Sequence, residues 1–184
     1  MGKPGASCVI VHDFNEDLKR SHAASDLPIW LEIYRQAFPD LQAAIDHRAD
    51  GEHQRAGIDR SVILSNSKQI LIDEKVRWKS YPDIALEYLS DVGKGKPGWV
   101  CKPLRADFIC YAIAPTGKAY LLPVPQMQQA WRLHRDTWLQ AYPFKIDAQN
   151  NGYVTRSCGV PVAVLFKAIG ECLRIEFTPV REAA

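Results

Sequence analysis

This sequence has no CxxC pair, no apolar run long enough to span a membrane and no large surplus of charge, and each absence removes a class of function. Its five cysteines, Cys8, Cys101, Cys110, Cys158 and Cys172, are odd in number and scattered. That excludes a disulfide framework and a zinc knuckle, and it fits a reducing, cytoplasmic setting. A spanning helix needs roughly 18 apolar residues or more, and residues 1–20 lack the basic start and apolar core of a secretory signal, so no membrane partner is expected. With 23 basic against 21 acidic residues the net charge is only +2, so any contact with phosphate must come from a local patch. Internal repeats and low-complexity tracts are also missing.

What the sequence does contain is enough apolar residue for one core. At 184 residues, 47% hydrophobic, with five tryptophans, it suits a single domain, with an arm over 1–25 and a core over 26–180. Within the arm, an apolar run at Cys8 to Val11 leads into a charged stretch read as an arm or short helix. Apolar residues at three- and four-residue spacing (Trp30, Ile33, Tyr34, Phe38, Leu41) predict a helix from Asp26–Pro28 to Asp46, broken at Phe38–Pro39. A second helix is expected over Tyr81 to Asp91 and a third over Gln126 to Tyr142, its tryptophans in the core. The apolar runs Arg105 to Ala114 and Lys118 to Val124, joined by Pro115-Thr116-Gly117, read as a hairpin. A strand over Tyr153 to Cys158, a helix from Pro161 to Ile169 and a strand over Leu173 to Phe177 complete an α/β domain with a mixed central sheet flanked by helices.

Chemistry concentrates in Gly57 to Arg77, GIDRSVILSNSKQILIDEKVR. Two apolar, β-branched runs, Val62 to Leu64 and Ile70 to Ile72, flank the turn-forming Ser65, Asn66, Ser67 and Lys68, which predicts a β-hairpin. With the turn near Asn66, Asp59 falls opposite Asp73 or Glu74. Facing side chains stand roughly 5 Å apart and like charges there destabilise the pair, so two acids at this place call for a cation. Alternation puts Asp73, Lys75 and Arg77 on one face and Ile72, Glu74 and Val76 on the other. Hard divalent ions take such carboxylates with carbonyl oxygens and water. The competing reading is a surface hairpin with Lys75 in a plain salt bridge.

An Asp, thirteen residues, then Asp-Glu-Lys closing an apolar strand resembles the PD-(D/E)XK motif of the restriction endonuclease-like nucleases. Gly57-Ile58 stands where the motif's name has a proline. QRAGIDR, the IDEK strand end, DIALEYLSD and PGWVCKPLRADFICYA look like phage- and prophage-type members of that superfamily. The resemblance implies a restriction endonuclease-like core, in which helix, three strands, helix and strand surround the acidic hairpin. It also implies a nuclease that hydrolyses DNA phosphodiesters, using Mg²⁺ or Mn²⁺. Asp59, Asp73 and Lys75 would be catalytic, and Asp59, Asp73 and the main-chain carbonyl of Glu74 would hold the metal.

Gln54, Arg55, Arg60, Arg77 and Lys79 are the residues expected to contact nucleic acid, being amide or cationic groups near the acids. Glu32 on the first helix and Glu87 on the second are further acidic candidates, and Asp107 is a cap, a partner for Arg105 or a support for the site. The basic loop Gly93 to Gly98 offers Lys94 and Lys96 to phosphates, with Trp99 beside it to stack on a base. His47 and His53 have a spacing that suits neither one helix face nor a zinc finger, so no shared metal role is expected. Two alternatives remain open: a noncatalytic nucleic-acid- or protein-binding domain that retains the nuclease fold, and a factor that binds a host protein through exposed tryptophans.

Overall fold

The computed structural model describes residues 28–47, 49–142, 145–150, 152–170 and 172–181. The expected N-terminal arm, the Asp26 cap and Pro143 lie outside the described residues. Helix α1 (Ile29–Ala37) buries Ile29, Trp30, Ile33 and Tyr34 at the expected spacing and stops before Pro39. The chain then forms strand β1 (Leu41–Asp46), where a continued helix was expected. A short helix α2 (Gly51–Ala56) precedes strands β2 (Arg60–Leu64) and β3 (Gln69–Arg77), which are the expected hairpin. Strand β4 (Asp83–Asp91) replaces the helix expected over Tyr81 to Asp91 and is followed by the two-residue β5 (Lys96–Pro97).

The second expected hairpin is present as β6 (Phe108–Ile113) and β7 (Lys118–Pro123). Its connection is a single 3₁₀ turn ending at Gly117, whose φ of 62° lies in the left-handed region. Helix α3 (Val124–Ala141), strands β8 (Lys145–Asn150) and β9 (Tyr153–Pro161), helix α4 (Val162–Ile169) and strand β10 (Leu173–Glu176) complete the described chain. Of these, β8 had no counterpart in the expected elements.

The fold is mixed α/β, built on two sheets. Six strands run in the order β1-β2-β3-β6-β7-β10 and four in the order β5-β4-β9-β8. Within the larger sheet β3 and β6 are parallel while the other pairs are antiparallel. Strand β6, FICYAI, is central and covered on both faces, which is why it reads as an unbroken apolar run and not as an alternation.

One face of the large sheet packs on α1, bringing Trp30, Ile33 and Tyr34 against Val62, Ile72, Cys110, Ala112 and Leu121. The other face carries Ile109, Tyr111, Ile113, Tyr120 and Leu122, and packs against Ile84, Leu86, Cys158 and Val160 of the small sheet together with α3 and α4. Tryptophans 30, 99, 131 and 138 are buried and Trp78 is half-buried, so the described residues present no cluster of exposed tryptophans for docking. No helix among the described residues is long and apolar enough to cross a membrane.

Candidate active site

Strand β3 divides its ionisable residues between the two cores. The hairpin register pairs Arg60 with Ile72, and the Asp59 N–H donates to the Ile72 carbonyl at 2.9 Å, so Asp59 enters β2 beside Asp73 as expected. Asp73 and Lys75 point to the face shared with the small sheet, and the Lys75 ammonium donates to the Asp73 carboxylate. Glu74 points the other way, where its carboxylate accepts from Tyr34 Oη at 2.7 Å and from Arg60 Nε at 2.6 Å. Only the main chain of Glu74 therefore borders the Asp73 face.

Asp59 is held at both oxygens. Gln54 Nε2, on α2, donates to Oδ1 at 3.1 Å, and the Glu74 N–H donates to Oδ2 at 2.7 Å. Gly57 makes this possible: its φ of 71° ends α2 in the left-handed region and turns the chain into β2 within two residues. Gln54, expected near phosphate, thus serves to orient an acid.

Glu87 joins from the opposite sheet. It lies close enough to Lys75 to stabilise the ammonium, and the Trp99 N–H donates to its carboxylate. The Val100 N–H donates to the Glu87 carbonyl at 3.2 Å and the Gly98 N–H to the Tyr88 carbonyl at 3.0 Å, so residues 98–100 clamp this part of β4. Lys102, which sequence reasoning did not single out, adds a positive charge beside Glu87. Its only signal was its place in a basic stretch.

The electrostatics are those of acids crowded out of water. Burial, and then the neighbouring Asp59, push Asp73 up to about 6 although Lys75 opposes the shift. Burial pulls on the Lys75 charge, but Asp73, Asp59 and Glu87 outweigh it and hold its pKa above the ordinary lysine value. Burial raises Glu87 as well, against Lys75. On the far face, burial lifts Glu74 to about 7 against the pull of Arg60 and Tyr34.

Several expected contacts fall elsewhere. Arg60 is a structural cation, its side chain only 13% exposed and paired with Glu74 and Asp46. Arg77 shares the Asp73 face, but its guanidinium is bound by Asp83 and lies 4.6 Å over the Tyr81 ring. Arg55 and Lys79 are exposed. Glu32 accepts from the Thr178 N–H at 3.1 Å, on the α1 side of the sheet, and so lies away from Asp73. Asp107 accepts from the Leu71 N–H at 2.8 Å and secures the start of β3. Trp99 is 7% exposed and belongs to the core, so it presents no stacking surface for a base.

The donors beside Lys75 are of the all-oxygen kind a hard divalent cation takes, namely the carboxylates of Asp59 and Asp73 beside the main chain of Glu74, while Glu87 stands on the Lys75 side and does not gather with the other two carboxylates into a three-ligand cluster. Comparison with known protein families, curated proteins and solved structures finds no match.

Proposed function

We propose that this chain is a metal-dependent phosphodiesterase acting on DNA, with a restriction endonuclease-like core. The observation that carries the reading is the meeting of Asp59, Asp73 and Lys75 on one sheet face, with the Glu87 carboxylate opposite them on the second sheet. A structural ion pair needs one acid and one base; here three carboxyls share one ammonium. Helix α1 followed by the three-stranded meander β1-β2-β3 agrees with the core arrangement. The chain departs from it where β4 and β5 occupy the place of a helix.

Asp59 and Asp73, with the Glu74 carbonyl, would hold Mg²⁺ or Mn²⁺, which would supply charge neutralisation at a phosphate and an acidified water, while Glu87 would steady the Lys75 ammonium. The chain's own contribution is orientation. Gln54 and the Glu74 N–H fix Asp59, and Trp99 fixes Glu87, so little reorganisation is left when substrate arrives. Lys75, 32% exposed, offers an ammonium to a non-bridging phosphate oxygen or to the attacking water. Circular and linear DNA and RNA incubated with purified protein, with and without Mg²⁺ or Mn²⁺, test the proposal. Metal-dependent cleavage of DNA that vanishes in Asp73→Asn is expected. No cleavage of any substrate, or cleavage indifferent to Asp73→Asn, overturns it.

A further inference from the structure

We propose that His47, Asp50 and His53 form a second metal site, for a borderline transition ion such as Zn²⁺, which ties the end of β1 to α2. Their potential ligand atoms all lie within 4.8 Å of one another. The sequence spacing argued against this because it suits neither one helix face nor a zinc finger. In the structure His47 precedes the helix, and its ring lies 4.0 Å from that of His53.

The surroundings are those of histidine ligands. His47 Nε2 is 2.6 Å from Ser61 Oγ, a contact that fixes the ring and leaves its other nitrogen for an ion. His53 Nδ1 is 2.8 Å from Asp50 Oδ2, where an ion takes the place of the shared proton. Asp50 Oδ1 accepts from the Glu52 N–H at 2.8 Å and so holds the carboxylate in position. Ligand atoms around tetrahedral Zn²⁺ bound at 2.0–2.1 Å stand roughly 3.4 Å apart, so the cluster has to contract. The rings are parallel to within 6°, and one ion cannot lie in both planes, so one ring must turn. His53, with its side chain 34% exposed, has room to do so.

Two imidazoles select a borderline ion over Mg²⁺, which separates this site chemically from the all-oxygen set at Asp73. The two are linked mechanically. Gln54 follows His53 on α2 and holds Asp59, so an ion that clamps α2 also steadies that acid.

Co²⁺ reports the site directly through its visible absorption, and Zn²⁺ stoichiometry follows from competition with a chelating dye. One ion per chain is expected in the parent and in Asp73→Asn, with affinity reduced more than about tenfold in His53→Gln and in His47→Ala. His53 is on the surface, so His53→Gln should fold normally, and circular dichroism without metal checks it. Should His47→Ala not fold, His53→Gln alone decides. Absence of a Co²⁺ band in the parent, or a band that survives His53→Gln, overturns the site. Loss of the band in Asp73→Asn would assign the ion to the hairpin instead. Because these readouts do not involve cleavage, they stand whether or not the chain proves to be a nuclease.

Discussion

Asp73 and Lys75 are two residues apart, yet their removal has different consequences. Asp73→Asn keeps the shape and removes the charge a hard cation needs, so Mg²⁺ binding and cleavage should be lost together. Since burial and Asp59 already oppose ionisation at this place, the metal-free variant should melt at or slightly above the parent temperature. Lys75→Ala should still bind metal and lose activity, by ~3 kcal/mol or more in barrier. It strips Asp73 of its cationic partner, so it should also be less stable without metal by ~1–3 kcal/mol. Cleavage rates, metal titrations and melts on the two variants check each part.

The same carboxyl gives a pH signature. Asp73 titrates near its ordinary value of 3.8 when unfolded and at about 6 when folded, so the folded chain holds the proton more tightly. Its contribution therefore favours folding fully below pH 3.8, fades as pH rises toward about 6 and is absent above that. Metal-free protein should accordingly gain stability from this group on going from pH 8 to pH 5, and Asp73→Asn should lose that gain. Mg²⁺ held as proposed would compete with the same proton, so its affinity should fall as pH drops below about 6. Melting curves across pH, with and without Mg²⁺, show both effects. Arg60 supplies a contrast: Arg60→Ala leaves a buried Glu74 without its cation and should cost ~3–5 kcal/mol.

At the scale of elements, β4 depends on the strand-like segment beside it. A Cβ on Gly98 would stand 2.3 Å from the Glu87 carbonyl oxygen, closer than any real contact. Gly98→Ala should therefore push β4 outward, displace Glu87 and cost ~1–3 kcal/mol. Gly93→Ala, whose Cβ would meet Asp91 at an ordinary 3.5 Å, should cost far less. Melts and cleavage rates of the two variants make the comparison.

The two strands that sequence reasoning took for helix share a cause. In β4, Ile84, Leu86 and Tyr88 alternate as a strand should, but a bulge between Glu87 and Leu89 shifts the register and places Leu89 at a helix-like interval. In β1 a bulge between Leu41 and Ala43 leaves Leu41 and Ala44 as the inward residues, three apart. An extra residue in a strand mimics a helical period, and only the partner strand reveals it. The acidic hairpin was legible because its register is regular and its turn is built from Ser, Asn and Lys. Glu87 was legible as a candidate third acid, but on an expected helix face; what brings it to Lys75 is a strand paired with β9, some seventy residues further along. The roles of Arg60 and Trp99 were hidden for the same reason: type and position suggest phosphate or base contact, while burial is decided by elements far away in the chain.

At the scale of the whole molecule, the proposed nuclease role would have to draw affinity for DNA from the rim around the acids, since a net charge of +2 gives the protein no strong overall field. Arg60 and Arg77 are engaged within the fold, while Arg55, Lys79, Lys102 and Arg105 are among the exposed cations of the described residues, and Lys102 lies beside Glu87. Lys94 and Lys96 stand further along, beyond the end of β4, and Lys94 is already 3.6 Å from Asp91 though 71% exposed. Each phosphate neutralised releases condensed counterions, so log affinity should fall linearly with log salt, by roughly 0.9 per contact on duplex DNA. Replacing Lys79 and Lys102 together by Ala should weaken binding and flatten that slope by up to about 2, if each meets one phosphate. Replacing Lys94 and Lys96 together should weaken it modestly, because Asp91 offsets part of the charge. Affinities measured over a salt series, in Ca²⁺ or without divalent ions so that no cleavage intervenes, give both slopes. A larger loss from the Lys94 and Lys96 pair than from the Lys79 and Lys102 pair would place the DNA across the β4-β5 loop and away from Asp73, and the acids would then have to be read as structural.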